Sequence, residues 1–89
     1  MMQDKWRLNP DISQTRIKEK ICERIRELRV DRDIKQLVIA KYLGVNQNTY
    51  SQYENGRRSI SPEMIVKLAQ YYDVPSDYLM GLMRRKGVE

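Results

Sequence analysis

Apolar side chains recur at intervals of three and four residues along most of the chain, and this spacing constrains the fold most strongly. The apolar positions of the first such run are Ile17, Ile21, Ile25 and Leu28. Steps of three and four residues place them on one face of a helix, whereas a half-buried strand would alternate. We therefore expect an all-α fold that starts with a helix over residues 12–31.

Glycine and asparagine divide the next part of the pattern into two short helices. Gly44 ends a second helix that starts at residue 35 or 36, because glycine adopts a positive φ angle without strain. Asn46 is the expected cap of a third helix over residues 47–54, which ends before Gly56. The two helices and their connection form the predicted motif, residues 36–55.

Proline marks the start of the last two helices. Ser61 followed by Pro62 is typical of a cap and a first helical position, and this fourth helix runs to about residue 72. Ser76, which follows Pro75, is the expected cap of a short fifth helix. The short connections favour one compact five-helix bundle with a central helix-turn-helix.

The composition excludes most enzyme classes. Histidine is absent and Cys22 is the only cysteine, which removes disulfide frameworks, Cys/His zinc sites and catalysis by Ser-His or Cys-His pairs. We expect no enzyme activity, no cofactor and no bound metal, and no small-molecule ligand is evident. No run of about 18 apolar residues is present, so we expect a cytoplasmic protein without a membrane partner.

The domain organisation is expected to be simple. Residues 1–15 are interpreted as an N-terminal arm, residues 16–83 as the folded domain and residues 84–89 as a basic C-terminal tail. Charged residues cover the other faces of the first helix, many at i,i+4 spacing, and are interpreted as a solvated surface. The basic ones are Arg16, Lys18, Lys20, Arg24, Arg26 and Arg29.

The basic charge is concentrated in one part of the sequence. The whole chain carries a net charge of +5, which favours an anionic partner. Residues 34–58 hold four basic residues and one acidic residue, whereas residues 60–83 hold one basic and three acidic residues. The positive part therefore coincides with the predicted helix-turn-helix.

The predicted helix-turn-helix has a buried seam and a small residue at the helix crossing. Ala40 is the small residue, because a larger side chain would force the two helices apart. The expected seam consists of Ile39, Leu43, Val45 and Tyr50. Tyr50 is therefore assigned to the core. For Tyr53 the sequence leaves two alternatives, a place in the core or stacking on a base.

The polar residues of the third helix point to nucleic acid. The helix is rich in amides and hydroxyls, which helix propensity alone does not favour. Amides pair with the N6/N7 edge of adenine, and hydroxyls reach bases or phosphates. These candidates are Asn46, Gln47, Asn48, Thr49, Ser51, Gln52 and Asn55. Arg57 and Arg58 can fork onto phosphate oxygens, and Lys35 and Gln36 add donors at the start of the second helix.

The segment from Leu43 to Arg58 resembles the Cro/phage-repressor helix-turn-helix, also called the Xre family. The resemblance extends from about residue 21 to residue 81. It implies a bacterial or phage transcriptional regulator, a repressor, that binds operator DNA in the major groove. By position it implies base contacts for Gln47, Asn48 and Gln52, a phosphate contact for Gln36, and an ion pair between Arg29 and Glu54.

The sequence departs from this family at the start of the second helix. Lys35 stands where a small cap is usual, so either the cap is absent or Asp33 caps one turn earlier. Leu37 and Val38 are apolar where the family is mostly polar. These two side chains could meet the N-terminal arm or a second subunit.

One recognition helix covers only a few base pairs, so we expect a homodimer, at least on DNA. Two copies would read a palindromic operator whose half-sites lie about 34 Å apart. The alternative is a protein-interaction module, such as an antitoxin or anti-repressor, that binds a partner through the third helix or through Leu37 and Val38.

Overall fold

The computed structural model describes residues 6–8 and 14–85, with side chains from residue 16 to residue 83. The helices are α1 (Gln14–Asp31), α2 (Gln36–Leu43), α3 (Gln47–Glu54), α4 (Pro62–Tyr72) and α5 (Ser76–Leu79). They confirm the predicted five-helix, helix-turn-helix architecture. Most of the expected arm and the end of the expected tail lie outside the described residues.

The core brings together the apolar faces of all five helices. Its most completely buried apolar members are Ile25, Ile39, Ala40, Leu43, Tyr50, Leu68, Tyr72 and Leu79. The seam predicted for α2 and α3 is confirmed for Ile39, Leu43 and Tyr50, while Val45 is half-buried at the edge of the core. Ala40 is completely buried, as a close helix crossing requires.

Local capping explains the bounds of α2, α3 and α4. Gly44 adopts a φ angle of 77° after α2, and its backbone N–H closes the end of that helix. The Asn46 side chain accepts a hydrogen bond of 2.7 Å from the Thr49 backbone N–H. Ser61 accepts one from Met64 at the start of α4. The predicted stop and both predicted caps are therefore confirmed.

Two other capping predictions are resolved differently. Lys35 occupies the N-cap position of α2 and makes no side-chain cap, so of the two alternatives the cap is absent. Asp33 instead adopts the left-handed conformation, with a φ angle of 56°. The prediction for Ser76 was wrong, because Ser76 is the first residue of α5 and Pro75 takes the N-cap position without a side-chain bond.

Arg24 corrects the interpretation of the charged face of α1. Its side chain is buried rather than solvated, with 2% of the residue exposed. The guanidinium donates hydrogen bonds of 2.7 Å to the Tyr78 carbonyl and 2.6 Å to the Met83 carbonyl. It also lies 4.2 Å from the centre of the Tyr78 ring. Arg24 therefore joins α5 and residue 83 to α1.

Two short strands, which the sequence pattern did not predict, lie beside α5. They are β1 (Trp6–Leu8) and β2 (Met83–Arg85), paired antiparallel with Leu8 opposite Met83. The strand β2 thus includes the first two residues of the expected tail, and β1 lies within the expected arm. The expected boundary at residues 15/16 falls inside α1, which begins at Gln14. Within the described part of the chain, no helix has the length and apolar character to cross a membrane.

Candidate nucleic-acid interface

The third helix separates a buried face from an exposed polar face. Its buried residues are Tyr50, Tyr53 and Glu54. Asn46, Gln47, Asn48 and Asn55 are exposed, and Thr49, Ser51 and Gln52 are half-buried. Helical spacing puts Gln47, Asn48, Ser51, Gln52 and Asn55 on one side of α3. Tyr53 is 7% exposed, so of the two possibilities left open for it, the core is the one the structure shows.

A buried ion pair joins α1 to the end of α3. The Arg29 guanidinium meets the Glu54 carboxylate in two places, with Nε to Oε2 at 2.5 Å and Nη2 to Oε1 at 3.0 Å. The same guanidinium donates to the Ile34 carbonyl at 2.8 Å. The Arg29 and Glu54 side chains are only 15% and 4% exposed. The ion pair implied by the family resemblance is therefore confirmed. It ties α1 to the last residue of α3.

The same carboxylate fixes the start of α2. Gln36 donates from Nε2 to Glu54 Oε1 at 3.1 Å, which ties the first residue of α2 to the last residue of α3. This contact leaves the Gln36 amide oxygen and the first backbone N–H groups of α2 as the groups available to a ligand at this end.

The electrostatics of Glu54 follow from these contacts. Burial alone would raise the pKa of the Glu54 carboxyl, but hydrogen bonds from Arg29 and Gln36 outweigh burial and lower that pKa. The Tyr50 hydroxyl is buried near the same carboxylate without the geometry of a hydrogen bond, and burial together with this neighbour raises the pKa of Tyr50. The carboxylate is therefore ionised at neutral pH and holds α1, α2 and α3 in one arrangement.

The loop after α3 folds back on the end of the helix. The backbone N–H groups of Arg57 and Arg58 both donate to the Gln52 carbonyl, at 2.9 and 3.3 Å. The Asn55 side chain also accepts a hydrogen bond of 3.2 Å from the Arg57 N–H. The Arg58 side chain turns toward α3, and its Nε donates to Gln52 Oε1 at 2.9 Å. Arg57 and Arg58 are both exposed.

The structure brings the sequence-predicted residues onto three adjoining elements: the start of α2, the helix α3 and the loop after it. Lys35 is exposed at the N-cap of α2. Lys18, assigned from the sequence to the solvated face of α1, is exposed and lines a cleft of about 100 Å³ together with Arg58. The solvated-surface interpretation of α1 gave no signal for this placement, since it depends on how α1 packs against the loop.

Cys22 lines the same cleft and is half-buried. Burial raises the pKa of its thiol, so the thiolate is disfavoured. Its sulfur lies 3.5 Å from the point where a Cβ at Gly56 would stand. The residue therefore behaves as a small packing side chain between α1 and the loop after α3.

Comparison with known proteins places this architecture in a family. The family model HTH_3, described as helix-turn-helix, matches residues 25–79, which is more than half of the chain. The chain belongs to this helix-turn-helix family. The resemblance to the Cro/phage-repressor type, stated from residues 43–58, is thereby confirmed.

Relatives in this helix-turn-helix family include a repressor and an antitoxin. The cryptic phage CTXphi transcriptional repressor RstR of Vibrio cholerae is 48% identical over 52 residues, covering 58% of this chain and 47% of RstR. The antitoxin PezA of Streptococcus pneumoniae is 39% identical over 54 residues, covering 61% of this chain and 34% of PezA. The chain thus spans less than half the length of either relative.

A solved helix-turn-helix protein shows the same fold on DNA. The P22 c2 repressor, in complex with a synthetic operator, superposes with a TM-score of 0.62 at 30% identity. The superposition covers 67% of this chain and 91% of that chain.

Proposed function

We propose that this protein is a sequence-specific transcriptional regulator, a repressor, that binds double-stranded operator DNA through α3. The observation that carries the proposal is the row of exposed and half-buried amides and hydroxyls on α3, bounded by Arg57 and Arg58 at one end. Such a row fits the donors and acceptors of the major groove, and the arginines fit the phosphates beside it. The P22 c2 repressor, whose structure was determined on an operator, supports the same use of this fold.

The proposed contacts divide into two kinds. Gln47, Asn48 and Gln52 would read base edges, with Asn46, Thr49, Ser51 and Asn55 close enough to assist at bases or phosphates. Lys35, Gln36, Arg57 and Arg58 would contact phosphates on either side of the groove. The second group positions the helix on the duplex and carries no sequence information of its own.

A homodimer bound to a palindrome fits the size of one subunit. The described part of the chain measures 35 × 25 × 20 Å, so two copies side by side can place their α3 helices one helical turn apart. Reading two half-sites about 34 Å apart would raise the specificity that one short helix provides.

The experiment is a titration of operator and random duplex across a salt series, with single alanine variants. Gln47→Ala is expected to cost about 1–3 kcal/mol on the operator and little on random DNA. Arg57→Ala is expected to weaken binding to both duplexes and to lower the salt slope by about one. Equal losses on both duplexes for both variants would contradict the division into base and phosphate contacts.

A protein-interaction module is the second candidate, and a specific surface favours it. Leu37 and Val38 are 47% and 48% exposed and adjacent on α2, so they offer neighbouring apolar side chains to a partner protein. One relative is named as an antitoxin. If duplex DNA shows no salt-dependent shift at tens of millimolar salt, this second candidate replaces the first.

A further inference from the structure

We propose that Arg58 determines which base Gln52 prefers, by holding the amide oxygen of Gln52 beside its guanidinium so that Gln52 presents its N–H groups to the DNA. This inference rests on the proposed function, because it concerns one of the proposed base contacts. It gives Arg58 a role in sequence specificity beyond a phosphate contact.

The geometry of the pair fixes which end of the amide is occupied. Arg58 Nε lies 2.9 Å from Gln52 Oε1. A guanidinium has five N–H donors and no acceptor, so it can bond only to the oxygen of the amide and never to its nitrogen. The orientation of the Gln52 amide is therefore set by its partner.

The backbone holds the two residues at this distance. The Gln52 carbonyl accepts the backbone N–H groups of both Arg57 and Arg58, which closes the loop against the end of α3. The Asn55 side chain braces the same turn through the Arg57 N–H. Arg58 is thus placed beside Gln52 before any DNA arrives, and its terminal Nη groups stay available for a phosphate oxygen.

The occupied oxygen changes the hydrogen-bonding pattern that Gln52 presents. A free glutamine side chain pairs with adenine by donating to N7 and accepting from N6. The amide oxygen has two lone pairs; Arg58 takes one of them and places its positive charge beside the other, which disfavours a second donor such as the N6 amino group of adenine. Gln52 therefore presents its N–H donors to the DNA. Guanine presents two acceptors at this edge, O6 and N7, whereas adenine presents one acceptor and one donor, and cytosine presents a donor only. The pair therefore favours guanine over adenine at the base that Gln52 contacts.

Arg57 provides a matched control one residue away. It is exposed like Arg58 and carries the same charge. Within the described residues, no hydrogen bond or ion pair joins its side chain to α3. Replacing Arg57 removes a comparable phosphate contact and leaves the Gln52 amide as it is.

The test is selection of bound duplexes from a random-sequence pool, carried out with the wild type and four variants. The variants are Arg58→Ala, Arg57→Ala, Gln52→Ala and the double variant Gln52→Ala/Arg58→Ala. Gln52→Ala identifies the position that Gln52 reads, because preference is lost there. At that position the wild type is expected to select guanine, and Arg58→Ala is expected to shift the adenine-to-guanine ratio about tenfold toward adenine. Arg57→Ala is expected to leave the ratio unchanged.

The double variant separates an effect through Gln52 from a direct contact of Arg58 with a base. If Arg58 acts through Gln52, removing Arg58 changes no base preference once Gln52 is alanine. The inference is overturned if Arg58→Ala leaves the preference at the Gln52 position unchanged, or if it shifts the preference equally in both backgrounds. A wild type that enriches no sequence would contradict the proposed function itself. Circular dichroism of each variant tests whether the fold is intact before its base preference is compared.

Discussion

Replacing Glu54 by glutamine should destabilise the fold far more than any surface charge change. Glu54→Gln keeps the shape of the side chain but removes the charge that Arg29 pairs with. Arg29 would then retain only the Ile34 carbonyl and one amide oxygen as partners, in a place where its side chain is 15% exposed. A charge that has lost its partner in such surroundings is costly.

The size of the effect follows from the burial of the two side chains. Breaking a fully buried ion pair costs about 3–5 kcal/mol. Arg29 keeps some contact with water and its bond to Ile34, which lowers the expectation to about 2–4 kcal/mol. A chain of 89 residues has a total stability of about 4–13 kcal/mol, so the loss is a large fraction of the whole.

Urea unfolding at pH 7, followed by circular dichroism, measures this loss. Glu19→Gln is the control, because Glu19 pairs with Arg16 on the surface of α1, where the side chains are 60% and 52% exposed. That change should cost less than about 0.5 kcal/mol. The reasoning is refuted if Glu54→Gln lowers the free energy of unfolding by no more than the control does.

Three further outcomes are expected. Because contacts in the fold lower the pKa of Glu54 below its ordinary 4.5, its stabilising effect is present above that pH and is lost as acid protonates it. The stability difference between wild type and Glu54→Gln, measured by urea unfolding from pH 7 to pH 3, should therefore shrink below pH 4.5. Asn46→Ala removes the cap of α3 and should lower the free energy of unfolding by about 1 kcal/mol in the same assay. The control Asn48→Ala should lower it by less than about 0.5 kcal/mol. Arg24→Met should lower the free energy of unfolding by about 3 kcal/mol. It should also speed hydrogen exchange at the backbone amides of residues 83–85. Unchanged exchange at these amides would show that Arg24 does not anchor β2.

The helix-turn-helix was predictable because its signals are local. Gly44 and Asn46 act within a few residues of their own positions, so α2 and α3 have the expected bounds. The polar face of α3 was also predictable, since helical spacing alone places Asn48 and Gln52 opposite the buried Tyr50. The ion pair of Arg29 with Glu54 came from the family resemblance, because residues 25 apart carry no local signal of contact.

The parts that sequence missed depend on contacts between distant segments. Arg24 falls three residues after Ile21 and four before Leu28, on the apolar stripe of α1, and this spacing was the available sign of its burial. Its partners lie 54 and 59 residues away, beyond the reach of any local pattern. The strands β1 and β2 have three residues each, too few to show an alternating pattern. The bond between Arg58 and Gln52 depends on how the loop after α3 folds back.

Amide chemical-shift mapping tests most directly whether α3 is the surface that reads DNA. The labelled protein would be titrated with a duplex selected from a random pool and, separately, with a scrambled duplex of the same length. We expect the largest shifts at residues 46–52 and 57–58 and at the start of α2, with smaller and strongly salt-dependent shifts on the scrambled duplex. Shifts centred on Leu37 and Val38, with α3 unchanged, would contradict DNA reading by α3.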